Sequence, residues 1–131
     1  MNAFVRLCKF NYVGAIGMIV QLGSLTVINR LWSGHYLAAT AVALELTLLH
    51  NFVWHVKYTW RDRREPSALP RQLLRFHLSN GLVSMLGNLA FMPLLVRGAG
   101  IPVVASNAIA ILCCSLANFG VGNHWAFAAR A

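Results

Sequence analysis

Thr47, Asn51, His55 and Tyr58 follow one another at the i, i+4, i+8 and i+11 spacing of a single helix face, with His50, Trp54 and Lys57 on the face beside it. Arg61, Arg63 and Arg64 come shortly after. Imidazole, ammonium and guanidinium groups together can hold a phosphate. With Arg75 and His124 these residues could gather around one, Asn51 and Asn118 adding amide donors. Trp54, Tyr58, Trp60 and Trp125 would then lie beside its isoprenoid or acyl tail. A plainer account has the arginines setting topology and attracting anionic lipid without selectivity, and the two asparagines satisfying neighbouring backbone. The residues alone leave both accounts open. The histidines lack an acid or cysteine partner at ligand spacing, so no metal is expected. No Ser/His/Asp set or phosphate-cradling glycine loop points to an enzyme or a cofactor.

The elements that must position these groups are four long apolar stretches, about 10–29, 36–55, 73–96 and 101–120, each near the ~20 residues that cross a hydrocarbon core. The chain is 58% hydrophobic with a mean hydropathy of +0.60 and three acidic residues, a composition foreign to a soluble domain of 131 residues. The reading is an all-α polytopic membrane protein with four transmembrane helices, occupying residues 1–131 as a single domain with no separate aqueous part. Arg6 and Lys9, the six basic residues from Lys57 to Arg75, and Arg130 fall on one side of the spans, against Arg30 and Arg97 on the other. The positive-inside rule therefore puts both termini in the cytoplasm. The +8 charge meets anionic lipid headgroups at that surface, which makes nucleic acid an unneeded partner. The first stretch is too long for a signal-peptide core and lacks a small-x-small cleavage site before Arg30, so it is read as an uncleaved span.

The basic stretch 57–72 is expected as a cytoplasmic loop, with Pro66 and Pro70 breaking helix. Short turns near Leu31–His35 and Arg97–Gly100 join the spans on the other side, where Trp32 and Tyr36 suit the interface. Pro93 should kink the third span, and Pro102 fits the start of the fourth. Cys8, Cys113 and Cys114 are odd in number and imply no disulfide framework.

A 67-residue shift lays Ala41, Ala43, Asn51 and Phe52 on Ala108, Ala110, Asn118 and Phe119, then Lys57, Tyr58 and Trp60 on His124, Trp125 and Phe127. A shift of 66 lays Lys9-Phe10 on Arg75-Phe76. The chain thus reads as two parallel two-helix repeats, both copies entering the membrane in the same direction. Glu45 is the one acid inside a span, and it points nearly opposite the Thr47–Tyr58 stripe. Counted from the far side, Gln21, Glu45 and Asn88 share a depth of about 12 Å. They suit an interhelical hydrogen-bond clamp or a proton or substrate site equally well. Gly14, Gly17, Gln21 and Ser24, and likewise Asn80, Ser84 and Gly87, read as close-packing faces.

K-F-N-Y-V-G at Lys9–Gly14, H-N-F-V-W-H-V-K-Y-T-W-R-D-R at His50–Arg63, R-F at Arg75–Phe76 and A-N-F-G-V-G-N-H-W-A-F at Ala117–Phe127 resemble, in order and spacing, the GtrA-like family of small four-span membrane proteins. The resemblance covers essentially the whole chain. It implies a place in the cell inner (plasma) membrane and a role in cell-envelope polysaccharide or glycolipid assembly beside a membrane glycosyltransferase. It also implies translocation of a polyprenyl-phosphate lipid or its sugar-linked form. The family pattern favours a basic residue where His124 stands, so a phosphate role for the second half would depend on a histidine. Four helices enclose little space, and a homodimer or the glycosyltransferase would complete the pathway. Two other readings fit the residues: a non-transporting subunit that positions a glycosyltransferase through Lys57–Arg75, and a small proton-coupled exporter using Glu45.

Overall fold

The computed structural model describes residues 1–128; Arg130 and the side chains of residues 36, 37, 88, 103, 104 and 107 lie outside the described residues. Among the described residues the chain is helical with no strand. Its long helices are α1 (Ala3–Leu31), α2 (Tyr36–Trp54), α3 (Leu69–Pro93) and α4 (Val103–Val121). Two stretches, Ala3–Leu31 and Pro66–Gly98, are by length and composition apolar enough to cross a membrane. The 19-residue α2 and α4 are each about 28 Å long at 1.5 Å per residue, close to the thickness of a hydrocarbon core. Large apolar side chains point outward along the helices, among them Ile19, Leu22, Leu89 and Leu112. A soluble bundle buries such residues, and a membrane protein gives them to lipid.

The chain divides into two compact units, Met1–Arg64 and Glu65 onward. In the first, α1 buries Arg6, Phe10, Val13 and Gly17, an i, i+4, i+7, i+11 ladder, while α2 buries Ala39, Ala43 and Thr47. In the second, α3 buries Gln72, Phe76 and Ser79, and α4 buries Ser106, Ala110 and Cys114. Small residues on α2 and α4 let the helices of each unit approach closely. A methyl group on Gly17 would collide with the Asn51 amide, and one on Gly87 with the Cys114 sulfur. The turns are made alike: Gly34 (φ 88°) joins α1 to α2, and Gly100 (φ 67°), 66 residues on, precedes α4. Positive φ costs glycine nothing and strains other residues.

Stretch 57–72 is more helical than a loop. A π-helical turn, His55–Thr59, prolongs α2, and 3₁₀ turns follow at Arg61–Arg63 and Pro66–Ala68 before α3 starts at Leu69. Pro66 and Pro70 occupy first-turn positions, where proline starts a helix because its missing N–H would have had no partner. Pro93 ends the α-helical part of α3, and the chain continues as a π turn, Leu94–Gly98, closed by the Ala99 N–H on the Leu94 carbonyl at 3.1 Å. Pro102 stands at the N-cap of α4.

Candidate functional site

The π turn His55–Thr59 is closed by the Trp60 N–H donating to the His55 carbonyl at 2.8 Å. It sends its side chains two ways. Inward, the His55 ring stacks on Phe10 at 4.7 Å and 10°, meets the Trp60 ring edge-on at 5.2 Å, and hydrogen-bonds Thr59 Oγ1 through Nδ1 at 3.0 Å. His55 and Trp60 are each 1% exposed. This corrects two sequence assignments: His55 is an interior ring and not an accessible phosphate ligand, and Trp60 is a core residue and does not face a lipid tail. Their aromatic surface is satisfied by Phe10, and moving either outward would open the middle of the unit.

Outward, Tyr58 lies under Lys9 Nζ, 4.5 Å from its ring centroid, with the Tyr12 ring 6.4 Å away. Trp54, Tyr58 and Lys57 are exposed, and His50 sits 6.3 Å ring to ring from Trp54. Tyr12, Val13, Ile16, His50, Trp54 and Tyr58 line a groove of about 300 Å³. A second hollow of about 420 Å³, lined by Phe4, Val5, Cys8, Lys9, Tyr12 and Tyr58, adjoins it through the two tyrosines. His50 Nδ1–H donates to Asn51 Oδ1 at 3.1 Å, and Asn51 itself fills the space over Gly17. Asn51 therefore seats α2 on α1 and fixes an imidazole in the groove, rather than serving local backbone.

Of the arginines, Arg61 and Arg64 are exposed and Arg63 is half-buried. Loss of hydration, and then Arg6, push the Arg63 guanidinium below its ordinary value, against the pull of Asp62. The buried Arg6 pairs with Asp62 at 2.7 Å, and the terminal ammonium lies 4.0 Å from the same carboxylate. That ion pair pins the 3₁₀ turn after α2 to the start of α1.

The second unit repeats the arrangement. Its π turn Gly122–Ala126 is closed by the Phe127 N–H on the Gly122 carbonyl at 2.8 Å. Arg75 lies 5.4 Å from the Trp125 ring centroid and donates from Nη1 to the Trp125 carbonyl at 3.1 Å. Asn118 Nδ2 donates to Ser84 Oγ at 3.1 Å, tying α4 to α3. His124 is exposed, with Asn123 Nδ2 3.4 Å from its Nε2. Arg75, Asn118 and His124 thus belong to one unit, and the remaining sequence-assigned phosphate residues to the other. Glu45 is exposed on α2, Gln21 is half-buried on α1, and the Asn88 side chain lies outside the described residues.

Sequence reasoning left Lys9, Tyr12, Arg6 and Asp62 out of the site. For Lys9 the signal was present: the 66-residue offset equates it with Arg75. For Arg6 and Asp62, 56 residues apart, no local pattern announces the pair.

Over residues 9–127 the chain matches the family model described as the GtrA/DPMS transmembrane domain, limits that begin at Lys9 and end at Phe127. Over 74 residues, 56% of its length, it is 36% identical to the dolichol-phosphate mannosyltransferase of Pyrococcus furiosus. The chain spans 20% of that protein.

Proposed function

The chain belongs to the GtrA/DPMS transmembrane-domain family, and on that premise we propose that it is a translocase carrying polyprenyl phosphate, free or sugar-linked, across the membrane for cell-envelope polysaccharide or glycolipid assembly. The observation that carries this reading is the cation over an exposed aromatic ring at the end of a hairpin, Lys9 over Tyr58, with Arg75 over Trp125 at the matching place in the second unit. An anionic headgroup needs a cation at the interface, where one Lys or Arg contributes about 1 kcal/mol toward negative lipid. A polyprenyl chain needs apolar and aromatic surface directly beside that cation, and Tyr12, Trp54, Tyr58 and Trp125 supply it. In this reading the protein does no covalent chemistry. It lies in the inner membrane with both termini cytoplasmic, and a second copy or a membrane glycosyltransferase completes the path. Exposed Lys57, Arg61 and Arg64 add attraction for anionic lipid.

A second reading is favoured by one observation. The similar stretch in the Pyrococcus protein is a fifth of a protein named for mannosyl transfer, so a domain of this kind can exist joined to an enzyme. On that reading the chain anchors or positions a polyprenyl-phosphate glycosyltransferase and moves no lipid.

Proteoliposomes separate the two. A polyprenyl-phosphate sugar is placed in both leaflets, and an impermeant reagent modifies only outward headgroups. Translocation drives modification to completion. A plateau at the outer-leaflet fraction, from folded protein, rejects translocation; the anchoring reading then predicts that Arg61→Ser with Arg64→Ser releases a co-purifying glycosyltransferase.

A further inference from the structure

We propose that the first unit carries a two-station trough for a single polyprenyl-phosphate molecule, its phosphate docking at Lys9 beside Tyr58 and its headgroup descending between Tyr12 and Trp54 to His50. The inference rests on the translocase reading and specifies the half of the chain, and the side chains, that hold the lipid.

The two hollows of this unit adjoin at Tyr12 and Tyr58, one reaching Lys9 and the other reaching His50. From Tyr58 to His50 along the helix is eight residues, about 12 Å at 1.5 Å each, which carries the trough from the headgroup level into the hydrocarbon region. The upper station has an ammonium with three N–H donors, matched to a phosphate oxygen. The walls between are aromatic and aliphatic, suited to a methyl-branched isoprenoid chain. At the lower station the hydrogen-bond roles are set by Asn51. Asn51 Oδ1 accepts from His50 Nδ1–H, which leaves Nε2 of the ring for a sugar hydroxyl. Asn51 is itself held against Gly17, which makes it a positioning residue for His50.

The second unit lacks the side chains of Tyr12, His50 and Trp54 at the matching positions. With the same offsets of 66 and 67, Tyr12 corresponds to Leu78, His50 to Ala117 and Trp54 to Val121. Its cation is also engaged differently, since Arg75 donates to the Trp125 backbone as well as covering the ring. The binding chemistry is therefore concentrated in the first hairpin.

The test uses the full chain in phosphatidylcholine nanodiscs and a polyprenyl monophosphate bearing a photoreactive group in its first isoprene unit, the crosslinked positions being mapped by peptide mass spectrometry. Label should fall on Tyr12, Ile16 or Trp54 and be displaced by unlabelled polyprenyl phosphate, but not by polyprenol or phosphatidylglycerol. Ile16→Trp, which fills the trough, and Lys9→Gln should each cut labelling by about tenfold, while Leu82→Trp at the corresponding place in the second unit should not. His50→Ala should keep label at the upper station and lose translocation. Label on Leu78, Leu82 or Val121, or displacement by phosphatidylglycerol or polyprenol as effective as by polyprenyl phosphate, would overturn the proposal. If Ile16→Trp fails to fold, the labelled positions in the unsubstituted chain still decide. Labelled trough residues without headgroup movement would remove translocation and leave the site; wild-type movement by folded Ile16→Trp would do the reverse.

Discussion

Offset by 66 or 67 residues, the two units bury matching positions: Arg6, Phe10 and Val13 against Gln72, Phe76 and Ser79; Ala39, Ala43 and Thr47 against Ser106, Ala110 and Cys114; Thr59 and Trp60 against Ala126 and Phe127. Each has a positive-φ glycine before its second helix, a π turn closed by an i to i+5 hydrogen bond, and an asparagine locking one helix to the other. What differs is the filling. The first unit holds an imidazole between Phe10, Thr59 and Trp60 where the second has Gly122, and an Arg6–Asp62 ion pair where the second has Gln72 on α3. Backbone devices are what a hairpin of this kind requires, so both copies have them. Charged and aromatic side chains are not required for the hairpin, since the second unit does without His55 and Arg6, and their presence in the first is where function can enter.

Substitutions that give the first unit the second's residues should rank accordingly. His55→Gly, the residue of the second unit, removes a ring packed on three sides and should cost about 3 kcal/mol, seen as a lowered melting temperature in detergent. An unchanged melting point would mean that the ring is not part of the core. Next comes the helix contact. Gly17→Ala must displace Asn51 and should cost about 1–3 kcal/mol, whereas Gly14→Ala, with open space around it, should gain up to about 1 kcal/mol from helix propensity. Equal effects at the two glycines would dissolve the Asn51 lock. Asp62→Ala leaves a buried guanidinium without its carboxylate and should cost about 1–3 kcal/mol; Arg6→Gln, which supplies the second unit's residue, should cost less because no charge is stranded. The opposite order in a denaturant titration would show that the pair has no energetic role. Smallest is Lys9→Gln, where a cation–ring contact of about 0.5–1 kcal/mol between a half-buried lysine and an exposed ring is lost and folding should scarcely change.

The helices were legible because a spanning helix demands a long apolar run and satisfies its backbone groups within that one segment. The duplication was legible because Asn51-Phe52 and Asn118-Phe119 stand 67 apart, each followed by aromatic residues. The placement of His55 and Trp60 was not. Polar and aromatic residues near a helix end read equally as ligands or as core, and only the position of Phe10, on another helix, chooses between them. Pro66 and Pro70 were ambiguous for a similar reason, since proline stops one helix and starts the next with the same missing N–H. Arg6 and Asp62 find each other only when both ends of the hairpin are placed, and a helical period within one segment carries no such information.

The most direct test of this division of labour is headgroup movement in proteoliposomes by Lys9→Gln and Arg75→Gln, each shown to be folded and equally reconstituted. The two replace corresponding cations, one at the mouth of the trough and one bonded to its own unit's backbone. The account predicts that Lys9→Gln slows movement about tenfold, the weight of a single lost contact of 1.4 kcal/mol, and that Arg75→Gln slows it less than about threefold. Equal losses, or a greater loss at Arg75, would contradict it and return the lipid site to both hairpins or to the second.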